Sequence, residues 1–294
     1  MTMTLMQGAA EQVVQRAAFT TGANDRLGLF FVATLGVMGM TGGLAVMVAT
    51  GAVALPLPPL ALVTLGGLAV PVAAIGATAA ESGGAGVKAL LAKLVRWRVH
   101  PGWYAAALGG PAAVVLAGFL LSLALGVPLP PAPPASVWQS LPLLAVVYGI
   151  IAISEEIGWR GYAQPRLAVR YGALGGAVLL GMLWGLWHLP QWFIPETGQA
   201  FRWPFPVFLA FTVSLSVLFA RLLNGSGGSV LLVALAHMSV NLYPGPWVGA
   251  WQLLPESIRG VYPMILVTVV LIGAAAVSVL ETQLAHRKAH RSVP

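Results

Sequence analysis

The stretch LPLLAVVYGIIAISEEIGWR, residues 141–160, decides the fold class of this chain. Its first part, Leu141–Ile153, carries no charge, and Glu155, Glu156 and Arg160 follow almost at once. A helix needs about 20 mostly apolar residues to cross the hydrocarbon core of a bilayer. The stretch therefore predicts a membrane-spanning helix that ends in a cluster of ionisable side chains.

The composition of the whole chain agrees with a membrane protein. Of its 294 residues, 58% are hydrophobic and only 8% are charged, whereas a soluble domain carries about 25% charged residues. So few charges exclude a disordered chain and a soluble globule of this length, and the absence of cysteine excludes a disulfide-stapled secreted domain. The net charge of +7 is explained by membrane topology rather than by nucleic-acid binding.

Apolar segments of membrane-spanning length recur along the chain. They predict eight transmembrane helices and an all-α polytopic fold, at residues 27–49, 60–80, 103–126, 141–157, 172–192, 205–223, 229–243 and 261–281. On span five, the pairs Gly172–Gly176 and Gly181–Gly185 place small residues four apart. This spacing predicts close approach of neighbouring helix backbones.

The basic residues predict the orientation of these spans. All but two of the 15 Lys and Arg residues lie in the two tails or in every second connection, the exceptions being Arg202 and Arg259. Because Lys and Arg accumulate on the cytoplasmic side of membranes, this alternation predicts that both termini are cytoplasmic. We expect one transmembrane domain over 1–294, with polar tails at 1–26 and 284–294 and a motif-bearing core at about 141–243.

Few ionisable residues fall inside the predicted spans. Glu155 and Glu156 interrupt span four, and His188 and His237 lie in spans five and seven. An ionisable side chain in a membrane span costs roughly 3 kcal/mol or more and marks a functional site by default. Alone, each would be typical of a structural ion pair or a packed histidine, so the prediction depends on their occurring together.

Helix periodicity gives each of these residues a partner. Residues four apart share a helix face, as Glu156 does with Arg160 and His237 with Asn241. Glu155 points about 100° away from Glu156, so it is available for a function other than pairing with Arg160. A turn at Tyr171-Gly172 would make spans four and five an antiparallel hairpin, with Glu155 and His188 at matching heights, if helix four continues past Arg160.

This combination of side chains is typical of a hydrolytic site without a Ser or Cys nucleophile. Arg160 would hold one carboxylate ionised, and the other could act with His188 as the general base that activates water. His237 and Asn241 could donate hydrogen bonds to a developing oxyanion. The zincin motif HExxH is absent, and an aspartyl pair is excluded because Asp25 is the only aspartate.

The same residues resemble a known family. Glu155-Glu156-Ile157-Gly158-Trp159-Arg160 matches the E-E-x-x-x-R motif of the CPBP family, the CAAX proteases and bacteriocin-processing enzymes also called the Abi family. The run from His237 to Asn241 matches its H-x-x-x-N motif. Its middle motif is F-x-x-x-H, in which Trp184 here replaces the Phe before His188.

The resemblance implies an eight-helix intramembrane endopeptidase that acts on a membrane-associated peptide or protein. By this likeness Glu155 and His188 would activate the water, and Glu156 and Arg160 would support the site. His237 and Asn241 would form the oxyanion hole. Family members include enzymes that cleave prenylated C-terminal tripeptides and others tied to bacteriocin maturation or immunity.

Two questions stay open at the level of sequence. The first is the cofactor: two histidines and two glutamates could ligate a divalent metal such as zinc, which would make the protein a metalloprotease, or the enzyme could be of the glutamate type without a metal. The second is the function itself, for which the alternatives are a proton- or ion-coupled transporter and a non-catalytic membrane immunity protein. The Ala- and Gly-rich composition favours a prokaryotic cell membrane.

Overall fold

The architecture was analysed in a computed structural model of the protein, which describes residues 26–129, 131–197, 204–243, 265, 268–274 and 276–277. All regular secondary structure within these residues is helical. The α-helices are α1 (Leu27–Ala49), α2 (Pro59–Ala92), α3 (Pro101–Tyr104), α4 (Gly110–Ala124), α5 (Ala135–Glu156), α6 (Gln164–Trp187), α7 (Phe205–Gly225) and α8 (Val230–Leu242). Stretches of π-helix join α3 to α4 (Ala105–Gly109) and α5 to α6 (Ile157–Ala163).

Five helical stretches of the described residues are long and apolar enough to cross a membrane. They are Leu27–Ala49, Pro59–Val95, Pro101–Ala124, Ala135–Phe193 and Phe205–Gly225. The fourth contains both predicted spans four and five, and predicted span seven is the shorter apolar helix α8. Most of predicted span eight lies outside the described residues. The prediction of an all-α polytopic membrane protein is confirmed, and the number of eight spans stays a prediction.

The π-helical stretch Ile157–Ala163 begins directly after the two glutamates, and all of its residues are buried. Its close packing against α2 depends on Gly158. A Cβ at this position would lie 2.9 Å from the carbonyl oxygen of Val70 and 3.2 Å from Phe30. π-Helical turns are rare and occur often at functional sites.

The chain changes direction sharply within α6. Gly172 has φ 75° and ψ 166°, which are not helical values, so the helix breaks at the turn predicted for Tyr171-Gly172. Beyond it, a Cβ on Gly176 would lie only 2.7 Å from the backbone nitrogen of Ala168, a distance that a straight helix does not allow between residues eight apart. The helical path from α5 through the π-helical stretch to this turn agrees with the predicted hairpin.

Glycines also allow the second half of α6 to pack tightly on α7. A Cβ on Gly181 would lie 2.5 Å from the Cα of Val213, and one on Gly185 would lie 2.6 Å from the Thr212 hydroxyl. The predicted close packing at this glycine pair is therefore present. Because α5 also packs against α8, the polar residues of α5, α6 and α8 are brought to one place.

Candidate active site

A buried ion pair joins two of the predicted site residues. Arg160 donates a hydrogen bond of 2.9 Å from one terminal nitrogen to Oε1 of Glu156, and both side chains are fully buried. His237 on α8 makes a second contact to the same oxygen, 2.8 Å from its Nδ1. Since a carboxylate beside a guanidinium is ionised and only accepts, Nδ1 of His237 is the donor. Glu156 thus ties α8 to the start of the π-helical stretch.

Aromatic rings complete the surroundings of Arg160. Its guanidinium carbon lies 4.4 Å from the ring centre of Trp184 and 5.0 Å from that of Phe219. Cation–π contacts of this kind offset part of the cost of burying a cation. Nε and the second terminal nitrogen of Arg160, like Oε2 of Glu156, have no hydrogen-bond partner among the described residues. Arg160 therefore depends strongly on Glu156.

Glu155 has a different environment from its neighbour. Its side chain is 6% exposed, and its Oε2 accepts a 2.8 Å hydrogen bond from Nε1 of Trp184. No second hydrogen bond to the carboxylate of Glu155 is found within the described part of the chain. The two adjacent glutamates therefore point to different partners, as their separation of about 100° around the helix requires.

His188 follows α6 directly and is held by its own helix. Its Nδ1 lies 2.8 Å from the carbonyl oxygen of Trp184, and because a carbonyl only accepts, Nδ1 carries the proton. In the neutral ring Nε2 is then an acceptor. The ring also makes edge-on contacts with Trp187 at 4.8 Å and Phe208 at 5.4 Å. Glu155 and His237 both lie within electrostatic range of His188.

The structure thus brings five of the six predicted residues together. Glu156, Arg160 and His237 are directly bonded, whereas Glu155 and His188 meet through Trp184. Asn241 lies one turn beyond His237 on α8 and is half-buried. Its amide makes no hydrogen bond to the part of the chain that the structure describes.

The donors present do not form a ready-made metal site. Oε1 of Glu156 is occupied by Arg160 and His237, so the groups left for a metal are Oε2 of Glu156, the Glu155 carboxylate and Nε2 of the two histidines. Over the described ranges, no three Asp, Glu, His or Cys side chains are arranged to hold a metal ion.

A second polar cluster supports the site and was missed by the sequence reasoning, which placed Glu81 at the end of a span. Tyr162 and Arg166 both donate to the carboxylate of Glu81, and the Arg166 guanidinium lies 3.7 Å from the Tyr162 ring centre. Lys93 donates to the carbonyl oxygen of Gly161 at 2.7 Å. These contacts attach the π-helical stretch to α2. The available signal was an acidic residue directly after the apolar segment 60–80.

Comparisons with known proteins agree with this site. Residues 137–243, which contain all six predicted site residues, match the family model described as type II CAAX prenyl endopeptidase Rce1-like. A curated protein, CAAX prenyl protease 2 of Methanococcus maripaludis, is 28% identical to this chain over 99 residues. That stretch covers 32% of this chain and 36% of the relative, so the match spans about a third of either protein. The resemblance to the CPBP family is confirmed over this region.

Proposed function

We propose that this chain, whose residues 137–243 carry the CPBP-family region, is an intramembrane endopeptidase. It hydrolyses a peptide bond in a membrane-associated peptide or protein. The family match over these residues and the apolar helices that carry them support both the activity and its location. The single observation that carries the mechanism is the unequal bonding of the two adjacent glutamates.

Because Glu155 and Glu156 have different hydrogen-bond partners, each carboxylate has a different role. Glu156 accepts from a cation and from His237, so it is held ionised and acts as an anchor. Among the described residues, Glu155 accepts a hydrogen bond only from the neutral indole of Trp184, through Oε2, which leaves Oε1 for a water molecule. Glu155 is therefore the general base of the proposed reaction.

The tautomers of the histidines fit complementary tasks. Nε2 of His188 is an acceptor in the neutral ring, so it can orient the attacking water together with Glu155. Nδ1 of His237 donates to Glu156, so His237 can donate from Nε2 only when Nε2 also carries a proton. In that form it can stabilise the oxyanion, with the Asn241 amide as the second donor.

Glu155 can then carry out both proton transfers of the reaction. Glu155 removes a proton from the water as its oxygen attacks the scissile carbonyl carbon, and the carbonyl oxygen becomes the oxyanion. As the C–N bond breaks, Glu155 returns the proton to the departing amine nitrogen. The products are a carboxylic acid and an amine, and Glu155 regains its charge for the next cycle.

We also propose where this chemistry sits in the cell. A single transmembrane domain over 1–294 holds a core at about 141–243 in a prokaryotic cell membrane, with both termini cytoplasmic. The support for this orientation is the distribution of Lys and Arg between alternate connections. The proposed substrate is a membrane-associated peptide or protein.

The test uses the full chain in proteoliposomes with membrane-anchored peptides and mass spectrometry of the products. Glu155→Gln should abolish cleavage, and His188→Ala and His237→Ala should reduce it strongly. Glu81→Gln is the matched control, because Glu81 is also a bonded carboxylate on a membrane-spanning helix but lies outside the motifs. Full activity in all three site variants on a verified substrate would refute the assignment.

Two further measurements separate the alternatives. Loss of cleavage on chelation with recovery on adding zinc would assign water activation to a metal, and retained cleavage would assign it to Glu155. Proton-coupled uptake without cleavage would favour the transporter, which the family match does not support. If the protein shows no uptake and no cleavage, the result favours the non-catalytic immunity protein.

A further inference from the structure

Trp184 contacts four of the predicted site residues at once. Its indole nitrogen donates to Glu155 and its carbonyl oxygen accepts from His188, each at 2.8 Å. Its ring lies 4.4 Å from the Arg160 guanidinium carbon and makes an edge-on contact with His237 at a centroid distance of 5.3 Å. The side chain itself is 3% exposed.

Of the contacts that the Trp184 side chain makes, only the hydrogen bond to Glu155 requires an indole rather than another aromatic ring. A phenylalanine could also pack against the guanidinium and the imidazole, but it has no donor for a carboxylate. The indole N–H points in one fixed direction, so it fixes Oε2 of Glu155 and thereby the direction of Oε1. This is the position at which the chain departs from the F-x-x-x-H motif.

We propose that Trp184 is a positioning residue, whose indole N–H orients the Glu155 carboxylate for its work as general base. This inference rests on the proposed peptidase function. It goes beyond that function because it requires Trp rather than Phe at position 184. In this chain the general base depends on a hydrogen bond that the Phe of the motif cannot make.

Trp159 offers a matched control for the loss of an indole. It is fully buried like Trp184, it packs edge-on against Phe30 and Trp187, and its Nε1 has no partner among the described residues. Trp159→Phe and Trp184→Phe remove the same atoms from a buried site. Only Trp184→Phe removes a hydrogen bond, although it also exchanges the indole ring beside the Arg160 guanidinium for a benzene ring.

The first experiment compares the kinetics of these variants on a membrane-anchored peptide in proteoliposomes. A hydrogen bond to a charged group is among the stronger ones in proteins, so Trp184→Phe should lower kcat by about 10- to 100-fold. KM should stay within about twofold of the wild-type value, because the indole N–H is bonded to Glu155 and is not left for the substrate. The acid side of the kcat–pH profile should shift in Trp184→Phe and stay unchanged in Trp159→Phe.

The second experiment tests the contact without any need for activity. A double-mutant cycle of Trp184→Phe and Glu155→Ala is followed by thermal unfolding in detergent, with Trp159→Phe and Glu155→Ala as the parallel cycle. The losses of Tm should be non-additive by about 3 °C or more in the first cycle and clearly less so in the second, in which the two residues lie about one helical turn apart and share no hydrogen bond. Should Trp184→Phe fail to fold, 3-benzothienylalanine at 184 keeps the shape and exchanges the N–H for sulphur.

The outcomes separate this inference from the proposed function. If the wild-type protein cleaves and Glu155→Ala does not, but Trp184→Phe keeps the wild-type kcat, the positioning role is refuted and the peptidase stands. An equal loss of kcat in Trp159→Phe and Trp184→Phe would also refute it, because packing alone would explain the effect. If Glu155→Ala itself retains activity, the proposed function fails and the positioning role falls with it.

Discussion

The buried ion pair between Glu156 and Arg160 gives the sharpest test of how this site is held together. The perturbation is Glu156→Ala, which removes the carboxylate that Arg160 bonds at 2.9 Å. Arg160 would keep its contacts to the rings of Trp184 and Phe219. It would nevertheless be a fully buried cation without a bonded anion.

The size of the effect follows from these contacts. Removing one partner of a buried ion pair costs about 3–5 kcal/mol of stability, because the other charge is left uncompensated. His237 also loses the acceptor of its Nδ1 proton, although a change of tautomer can reduce that loss. At about 2–4 °C per kcal/mol for a chain of this order of size, we expect Tm to fall by about 10 °C.

The assay is thermal unfolding of the detergent-solubilised protein, followed by the fluorescence of its 10 tryptophans. Glu155→Ala is the matched control, because the same truncation at the preceding residue removes only the acceptor of a neutral indole N–H. It should cost about 1–2 kcal/mol of stability. The double variant Glu156→Ala/Arg160→Met removes both charges and should be more stable than Glu156→Ala. The reasoning is refuted if Glu156→Ala and Glu155→Ala lose the same Tm, or if the double variant is no more stable than the single one.

Three further expectations use the same unfolding assay. Gly181→Ala should lower Tm strongly, because its Cβ would lie 2.5 Å from the main chain of the neighbouring helix; Gly76→Ala, with open space around it, should be neutral or stabilising by up to ~1 kcal/mol. Gly172→Ala should destabilise by about 1–3 kcal/mol, because φ is 75° at that turn; an unchanged Tm would show that the turn is not strained. Tyr162→Phe should cost about 1.5–3 kcal/mol because it removes a hydrogen bond to the Glu81 carboxylate, and combining it with Glu81→Gln should add less than the two separate losses. Additive losses would contradict a direct bond.

Much of the fold could be predicted because hydrophobic patterns are local. Predicted spans one, three and six correspond closely to helical stretches that are long and apolar enough to cross a membrane. The second was predicted to end at residue 80, and the helical stretch Pro59–Ala92 breaks close by at Gly83, where φ is 61° and ψ is −160°. The apolar pattern ends at Glu81, two residues before that break, and only the fold shows that Glu81 is bonded to Tyr162 and Arg166.

The sequence by itself determined that this is a helical membrane protein and which ionisable side chains interrupt its spans. Apolar content, the i,i+4 spacing of Glu156 and Arg160, and the turn at Gly172 all act through neighbouring residues, so they can be read along the chain. Only the tertiary structure decided that Glu156 takes His237 as its partner and that Glu155 takes Trp184. Those choices depend on how α5, α6 and α8 pack against one another, which involves residues that are distant in sequence, such as Gly181 of α6 against Val213 of α7 and Gly158 of the π-helical stretch against Val70 of α2.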